Sequence, residues 1–199
     1  MNLARYCAPT GVAIDIGASV GWYTYPLSKR FSRVYAFEIN DEVTRWITDY
    51  NRGNIEVIHC GLSCKEGNAR LYVPVAHGLT LTGWGSLYQD NCPNADKYLE
   101  KEVQVAPLDD FKIADVGFVK MDVEGHEVEV LLGAERTISQ SRPVILIEIK
   151  DRNLQLVGSW FQALSYRRFT LEELIGVHGQ LENYIYIPNE KLTESGVDR

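Results

Sequence analysis

Apolar runs and amphipathic stretches alternate along the first sixty residues. Gly11–Ile16 is a short apolar run holding one carboxylate, Asp15, and leading into glycines. Such near-continuous runs predict strands of a parallel sheet covered on both faces. Val20–Phe31 carries Trp22, Tyr25, Leu27 and Phe31 at helical spacing. Arg33–Glu38 predicts a second strand, Asp41 the N-cap of a helix reaching about Tyr50, and Asn54–Cys60 a third strand. The order β-α-β-α-β implies right-handed crossovers and a parallel sheet.

The pattern then changes. Gly67–Val105 reads as short strands and loops. Within it, residues 77–94 carry His77, Gly78, Gly83, Trp84, Gly85, Ser86, Asn91 and Pro93 without a period. That composition predicts a mobile lid or substrate loop. Regularity returns with a strand over Gly117–Asp122 and a helix from His126 to Leu132. A strand follows over Pro143–Ile149, interrupted only by Glu148, then a helix over Leu154–Leu164. Tyr184–Ile187 predicts a last, antiparallel strand at a sheet edge, and the polar tail from Asn189 is expected to fray. No helix is expected ahead of the first strand. With no repeat, low-complexity tract or linker, residues 1–199 read as one α/β domain.

Composition narrows the classes. The 199 residues are 45% hydrophobic and 24% charged, enough to bury a core. The net charge of -7 argues against a nucleic-acid partner, and the groups Lys29/Arg30/Arg33 and Arg167/Arg168 read as solvated faces. Cys7, Cys60, Cys64 and Cys92 read as free thiols, because Cys60 and Cys64 lack a second ligand pair for zinc. With no leader and no apolar stretch long enough for a membrane span, the expected location is cytoplasmic.

Four stations carry chemistry. Asp15-Ile-Gly17-Ala-Ser-Val-Gly21 is a strand-to-helix turn whose glycines let a ligand approach the backbone, and whose helix N-terminus offers N–H groups to an anion. Its spacing is G-x-x-x-G, which fits a pyrophosphate poorly. Glu38, closing the second strand about twenty residues on, is placed to accept both hydroxyls of a ribose. The pair points to a nucleoside lacking a pyrophosphate, and S-adenosylmethionine fits. The third station is Lys120-Met-Asp122-Val-Glu124-Gly-His126-Glu127. Alternation puts Lys120 and Asp122 on one side of a strand whose carboxyl end is where open α/β sheets bind ligands. Crowded carboxylates there should have raised pKa values, which suits a general base. The fourth is Glu148, a carboxylate in an apolar strand, which either pairs with Lys120 on a neighbouring strand or contacts the substrate. Among the other histidines, His59 reads as a core residue, His178 as part of a polar loop, and His77, at the start of the long loop, as a less favoured candidate to face the site.

With these stations in place, the sequence resembles the FkbM family of S-adenosylmethionine-dependent methyltransferases. The matching stretches are Val12–Gly21, Val34–Glu38, Pro107–Asp110, Val119–Ala134 and Arg142–Glu148, with an echo at Asn183–Pro188. The Lys-x-Asp-Val-Glu-Gly-x-Glu run followed by Val-Leu-Leu-Gly-Ala is the most specific. The resemblance implies a Rossmann-like, doubly wound, seven-stranded sheet, mostly parallel with an antiparallel edge strand. It implies binding of S-adenosyl-L-methionine through Asp15, Gly17, Ala18, Ser19, Gly21, Thr24, Glu38 and Ser63. It also implies methyl transfer to a hydroxyl on a sugar, glycan or polyketide-like small molecule. The catalytic set is then Asp122, Glu124, His126 and Lys120: Asp122 or His126 as base, Glu124 orienting the acceptor, Lys120 holding the acidic cluster. A divalent cation on that cluster is the less favoured alternative. Two departures stand out: Ser19 replaces the family's usual Asn, and the stretch ahead of Val12 is short for the helical lead-in that family members usually carry. Two rival readings are an inactive cofactor-binding module and a nucleic-acid methyltransferase. For the second, neither a basic face nor an Asn-Pro-Pro-Tyr-like or Cys-based motif is found.

Overall fold

The computed structural model describes residues 11–49, 53–92, 94–176, 178 and 182–194. Cys7 and the last five residues lie outside them. Among these residues eleven strands and seven α-helices follow one another: β1 (Val12–Ile16), α1 (Thr24–Ser28), β2 (Arg33–Phe37), α2 (Asp41–Asp49), β3 (Ile55–Ile58), β4 (Gly61–Leu62), β5 (Gly67–Ala76), β6 (Leu79–Thr80), β7 (Lys97–Ala106), β8 (Val116–Met121), α3 (Glu127–Leu132), α4 (Glu135–Ser141), β9 (Val144–Glu148), α5 (Leu154–Ala163), β10 (Tyr166–Thr170), α6 (Leu171–Ile175), β11 (Asn183–Pro188) and α7 (Asn189–Glu194).

Seven strands form the main sheet in the order β3-β2-β1-β8-β9-β11-β10, with β11 antiparallel to both neighbours. The apolar runs become strands because both their faces are buried. On one face Ile14, Ile16, Val119, Met121, Ile145 and Ile147 join a cluster that includes Leu131, Ile138 and Phe161 from α3, α4 and α5. On the other, Ala13, Ala36, Phe118, Leu146 and Ile185 pack with Ile47, Leu171 and Leu192 from α2, α6 and α7. Burial of this order drives the fold. The carboxyl ends of β1, β2, β8 and β9 meet at one rim of the sheet, where its strand order reverses.

Several expectations need correction. The helix after Gly21 has only five residues, Trp22 lies outside it, and that ring is 81% exposed. The Gly67–Val105 region is not a set of short strands. β5 and β7 are ten residues each and pair antiparallel from Gly67↔Val105 to Val75↔Lys97, forming with β4 and β6 a second sheet. β11 is not the edge strand, because β10 pairs outside it; the two arginines of β10 hide it from an apolar scan. The tail starting at Asn189 is helical through Glu194. His59 is exposed. His77 is exposed at the β5–β6 turn, its N–H bonded to the Asp96 carboxylate, and does not face the site.

Candidate functional site

The turn after β1 is shaped by backbone contacts. Gly17 has φ +71°, and a Cβ there would fall 1.8 Å from the Asp122 carbonyl oxygen, so only glycine fits. The amides of Gly17 and Ala18 both donate to the Phe37 carbonyl, at 3.0 and 3.1 Å. The turn therefore spends these amides holding β2, not on an anion. Ser19 takes φ +49°, a region Asn tolerates better than Ser, which gives a conformational reason for the family's preference there.

Glu38 closes β2 and is 7% exposed. Its two oxygens accept from the amides of Ser19 and Asn40, each at 2.7 Å. Burial raises its pKa while these two bonds oppose the rise. A carboxylate offers about four lone-pair sites, so two remain for a ligand.

Strand register explains the charges behind the turn. Asp15 on β1 sits opposite Lys120 on β8, both on the face that carries Ala13 and Phe118. Asp15 is fully buried, and Thr24 Oγ1 donates to its Oδ2 at 2.5 Å. Lys120 Nζ donates to the Gly17 carbonyl at 3.1 Å and to Asp122 Oδ2 at 3.4 Å, with Asp15 Oδ1 at 3.9 Å. Burial raises the Asp15 pKa, and Lys120 counters it.

The expected pairing of Glu148 with Lys120 is replaced by another. The β9 residue opposite Lys120 is Leu146; Glu148 lies two residues further toward the rim. Its partner is Lys150, whose Nζ is 3.0 Å from Glu148, 3.3 Å from Glu124 and 3.0 Å from Glu182. Alternation along Glu148-x-Lys150 was the overlooked signal. Oxygens of Asp122, Glu124 and Glu148 lie within 4.8 Å of one another. The Glu148 pKa is raised, first by burial and next by the charge of Asp122.

Glu124 and Gly125, with φ +50° and +103°, turn the chain into α3. Glu127 is fully buried and serves that turn: it accepts from the Gly125 amide at 2.8 Å and from Asn153. Residues 82–92 close over this turn. Ser86 Oγ donates to the Glu124 carbonyl at 2.7 Å, Asn91 Nδ2 to the Glu124 carboxylate at 2.9 Å, and Tyr88 Oη to Glu129 at 3.1 Å. His126 Nε2 lies 3.0 Å from Ser63 Oγ and its Nδ1 3.6 Å from the Glu129 carboxylate; burial lowers the pKa of the ring while Glu129 opposes the drop.

Two clefts flank the turn. The first is lined by Gly17, Glu38, Ile39, Leu62, Val123 and His126 among others, with Gly83, Gly85 and Leu87 as its outer wall. The second is lined by Trp22, Tyr23, Trp84 and Asn91 around Lys120, Asp122, Glu124, Glu148 and Lys150. Gly17, Ser19, Gly83, Asp122 and Glu124 belong to both.

The profile of the methyltransferase FkbM domain matches residues 15–173. The chain belongs to the FkbM methyltransferase family. Solved structures agree in fold. An FkbM methyltransferase from Methylobacillus flagellatus KT superposes with a TM-score of 0.58 at 22% identity, over 89% of this chain and 43% of its own. The chain thus spans less than half of that relative. An rRNA methylase from Streptococcus thermophilus gives 0.53 at 12% identity, over 92% of this chain and 89% of its own. A Streptococcus mutans protein described as a candidate methyltransferase, in complex with SAH, gives 0.51 at 12%, over 92% and 90%. No curated protein matches by sequence.

The FkbM-family sheet carries the expected seven strands with antiparallel β11. The sequence-derived site residues divide three ways. Gly17, Ser19, Glu38, Asp122, Glu124 and His126 line the first cleft; Ala18 and Lys120 line only the second. Asp15, Gly21, Thr24 and Ser63 line neither: Asp15 and Thr24 bond each other, Gly21 faces Ile47, and Ser63 reaches the first cleft through His126.

Proposed function

We propose that this protein binds S-adenosylmethionine in the first cleft and methylates a hydroxyl on a sugar, glycan or polyketide-like small molecule held in the second. The observation that carries the reading is Glu38. Its buried carboxylate faces the Gly17–Ser19 turn with acceptor capacity left over, which fits a pair of vicinal ribose hydroxyls. Ile39, Leu62 and Val123 offer apolar surface to an adenine, and Lys120 and Asp122 lie where an amino-acid end would meet the Gly17 carbonyl.

The bound cofactor supplies an already activated methyl group. The protein's task is to align the acceptor oxygen and take its proton. Asp122 is the base in this reading, since it lies where the clefts join, and Glu124 orients the acceptor. His126 is a cofactor-side group, being absent from the second cleft and bonded to Ser63. Lys120 holds Asp122. Lys150 already supplies positive charge to Glu124 and Glu148, which supports a reading in which the cluster needs no metal.

Titration calorimetry with S-adenosylmethionine or SAH tests the first half. Binding is the expected outcome, and no heat at millimolar ligand sinks the proposal. Glu38→Ala should weaken that binding more than tenfold, about 1.4 kcal/mol. It also orphans the Ser19 and Asn40 amides, costing roughly 1–3 kcal/mol of stability.

A further inference from the structure

The second cleft has walls that the cofactor reading leaves unused. Trp22 is 81% exposed, Trp84 56% and Tyr23 39%, and all three line it. Large apolar rings gathered at one opening mark a binding surface, whereas scattered ones do not. They come from two places: Trp22 and Tyr23 follow the cofactor turn, and Trp84 stands on the segment that closes over Glu124.

The floor between them is acidic. Asp122, Glu124 and Glu148 face Lys120 and Lys150, and both lysines are committed. Lys120 is held by Asp122, Asp15 and the Gly17 carbonyl and lies 5.3 Å from the centre of the Tyr23 ring, which leaves the other face of that ring to a ligand; Lys150 is held by Glu124, Glu148 and Glu182. An incoming anion therefore meets carboxylates and no uncommitted ammonium among the residues of the cleft. An uncharged ring is received differently. Its hydroxyls can donate to carboxylates, and its polarised C–H faces can lie on the electron-rich faces of indole and phenol.

We propose that Trp22, Tyr23 and Trp84 are the acceptor-stacking surface and that, with the carboxylates of Asp122, Glu124 and Glu148, they select an uncharged ring-bearing polyol over anionic acceptors. The inference rests on the methyltransferase reading of the same site, because it assigns the second cleft to the acceptor. Trp22 and Trp84 determine specificity by contact and take no part in proton transfer.

Saturation-transfer NMR on the SAH-loaded protein tests this. The probes are uncharged methyl glycosides of a hexose, a 6-deoxyhexose and a pentose, set against a methyl glucuronide and glucose 6-phosphate. At least one uncharged glycoside should receive saturation at its ring C–H protons, and neither anion should. Trp22→Ala and Trp84→Ala should each weaken that glycoside about tenfold while SAH binds as in the wild type. Equal binding of the anions, wild-type glycoside binding by both variants, or no glycoside signal from an SAH-bound protein overturns the inference. Failure of SAH itself to bind overturns the cofactor reading instead, and calorimetry separates the two. Both indoles are exposed, so retained SAH binding also certifies that the variants are folded.

Discussion

Asp15 and Lys120 face each other across the β1–β8 ladder in a site with almost no solvent access. Breaking a buried ion pair from one side is far more damaging than removing both members, since the survivor keeps its desolvation cost. Lys120→Met should therefore cost about 3–5 kcal/mol, and adding Asp15→Asn should recover most of that loss. Urea unfolding of the two single variants and the double checks it; simply additive losses would show that the groups act independently. At this scale the sequence was informative about identity and poor about partnership. Lys120, Asp122 and Glu148 all stood out as chemistry-bearing residues. Which cation met which acid depended on register, and register is set by the whole sheet.

Among elements, the junction of α3 and α4 leaves no room for a side chain. A Cβ on Gly133 would sit 2.0 Å from the Ser63 carbonyl oxygen, and the Gly133 carbonyl accepts from the Asp109 amide at 3.0 Å. Backbone on both sides leaves nothing soft to yield. Gly133→Ala should cost roughly 1–3 kcal/mol as an overpacked site. By displacing Ser63 it should also loosen the Ser63–His126 bond beside the first cleft. Thermal unfolding and SAH calorimetry read both effects; an unchanged melting temperature contradicts the clash. Legibility varied by element for a physical reason. β1, β2, β8 and β9 are buried on both faces and announce themselves as apolar runs. β7 is wet on one side and reads Lys-Tyr-Leu-Glu-Lys-Glu, and β5 contains Pro74, so neither resembles such a run. α1 misled at one position: Trp22 shares the helical spacing of Leu27 and Phe31, yet it lines a cleft while they pack in the core.

Over the whole molecule, buried acids set the response to pH. Asp15, Glu38, Glu127 and Glu148 all have raised pKa values, with burial the first cause. A carboxyl whose folded pKa is raised keeps its proton to higher pH than the unfolded chain does. Stability is then lost as pH climbs from the ordinary carboxylate range through the folded value. His126 works the other way. Its lowered pKa means that stability falls as pH drops below its ordinary value of 6.5. With four such acids against one such histidine, the protein should be less stable at pH 8 than in the mildly acidic range. Urea titrations at several pH values give the answer, and a steady rise to pH 8 would contradict it. This behaviour follows from stacking Asp15, Lys120 and Glu38 under one rim, a placement that the strand order imposes and no local pattern reveals.

The segment from Thr82 to Asn91 has a consequence for anyone who would change what this protein accepts. Gly83 is a wall of both clefts, and the bonds from Ser86 and Asn91 fix the backbone and carboxylate of Glu124, which both clefts share. Acceptor choice and cofactor grip are therefore linked traits. Substitutions at Gly83, Ser86 or Asn91 will move them together, and such variants with a new acceptor have to be screened for SAH affinity in the same round, whereas Trp84 lines only the second cleft.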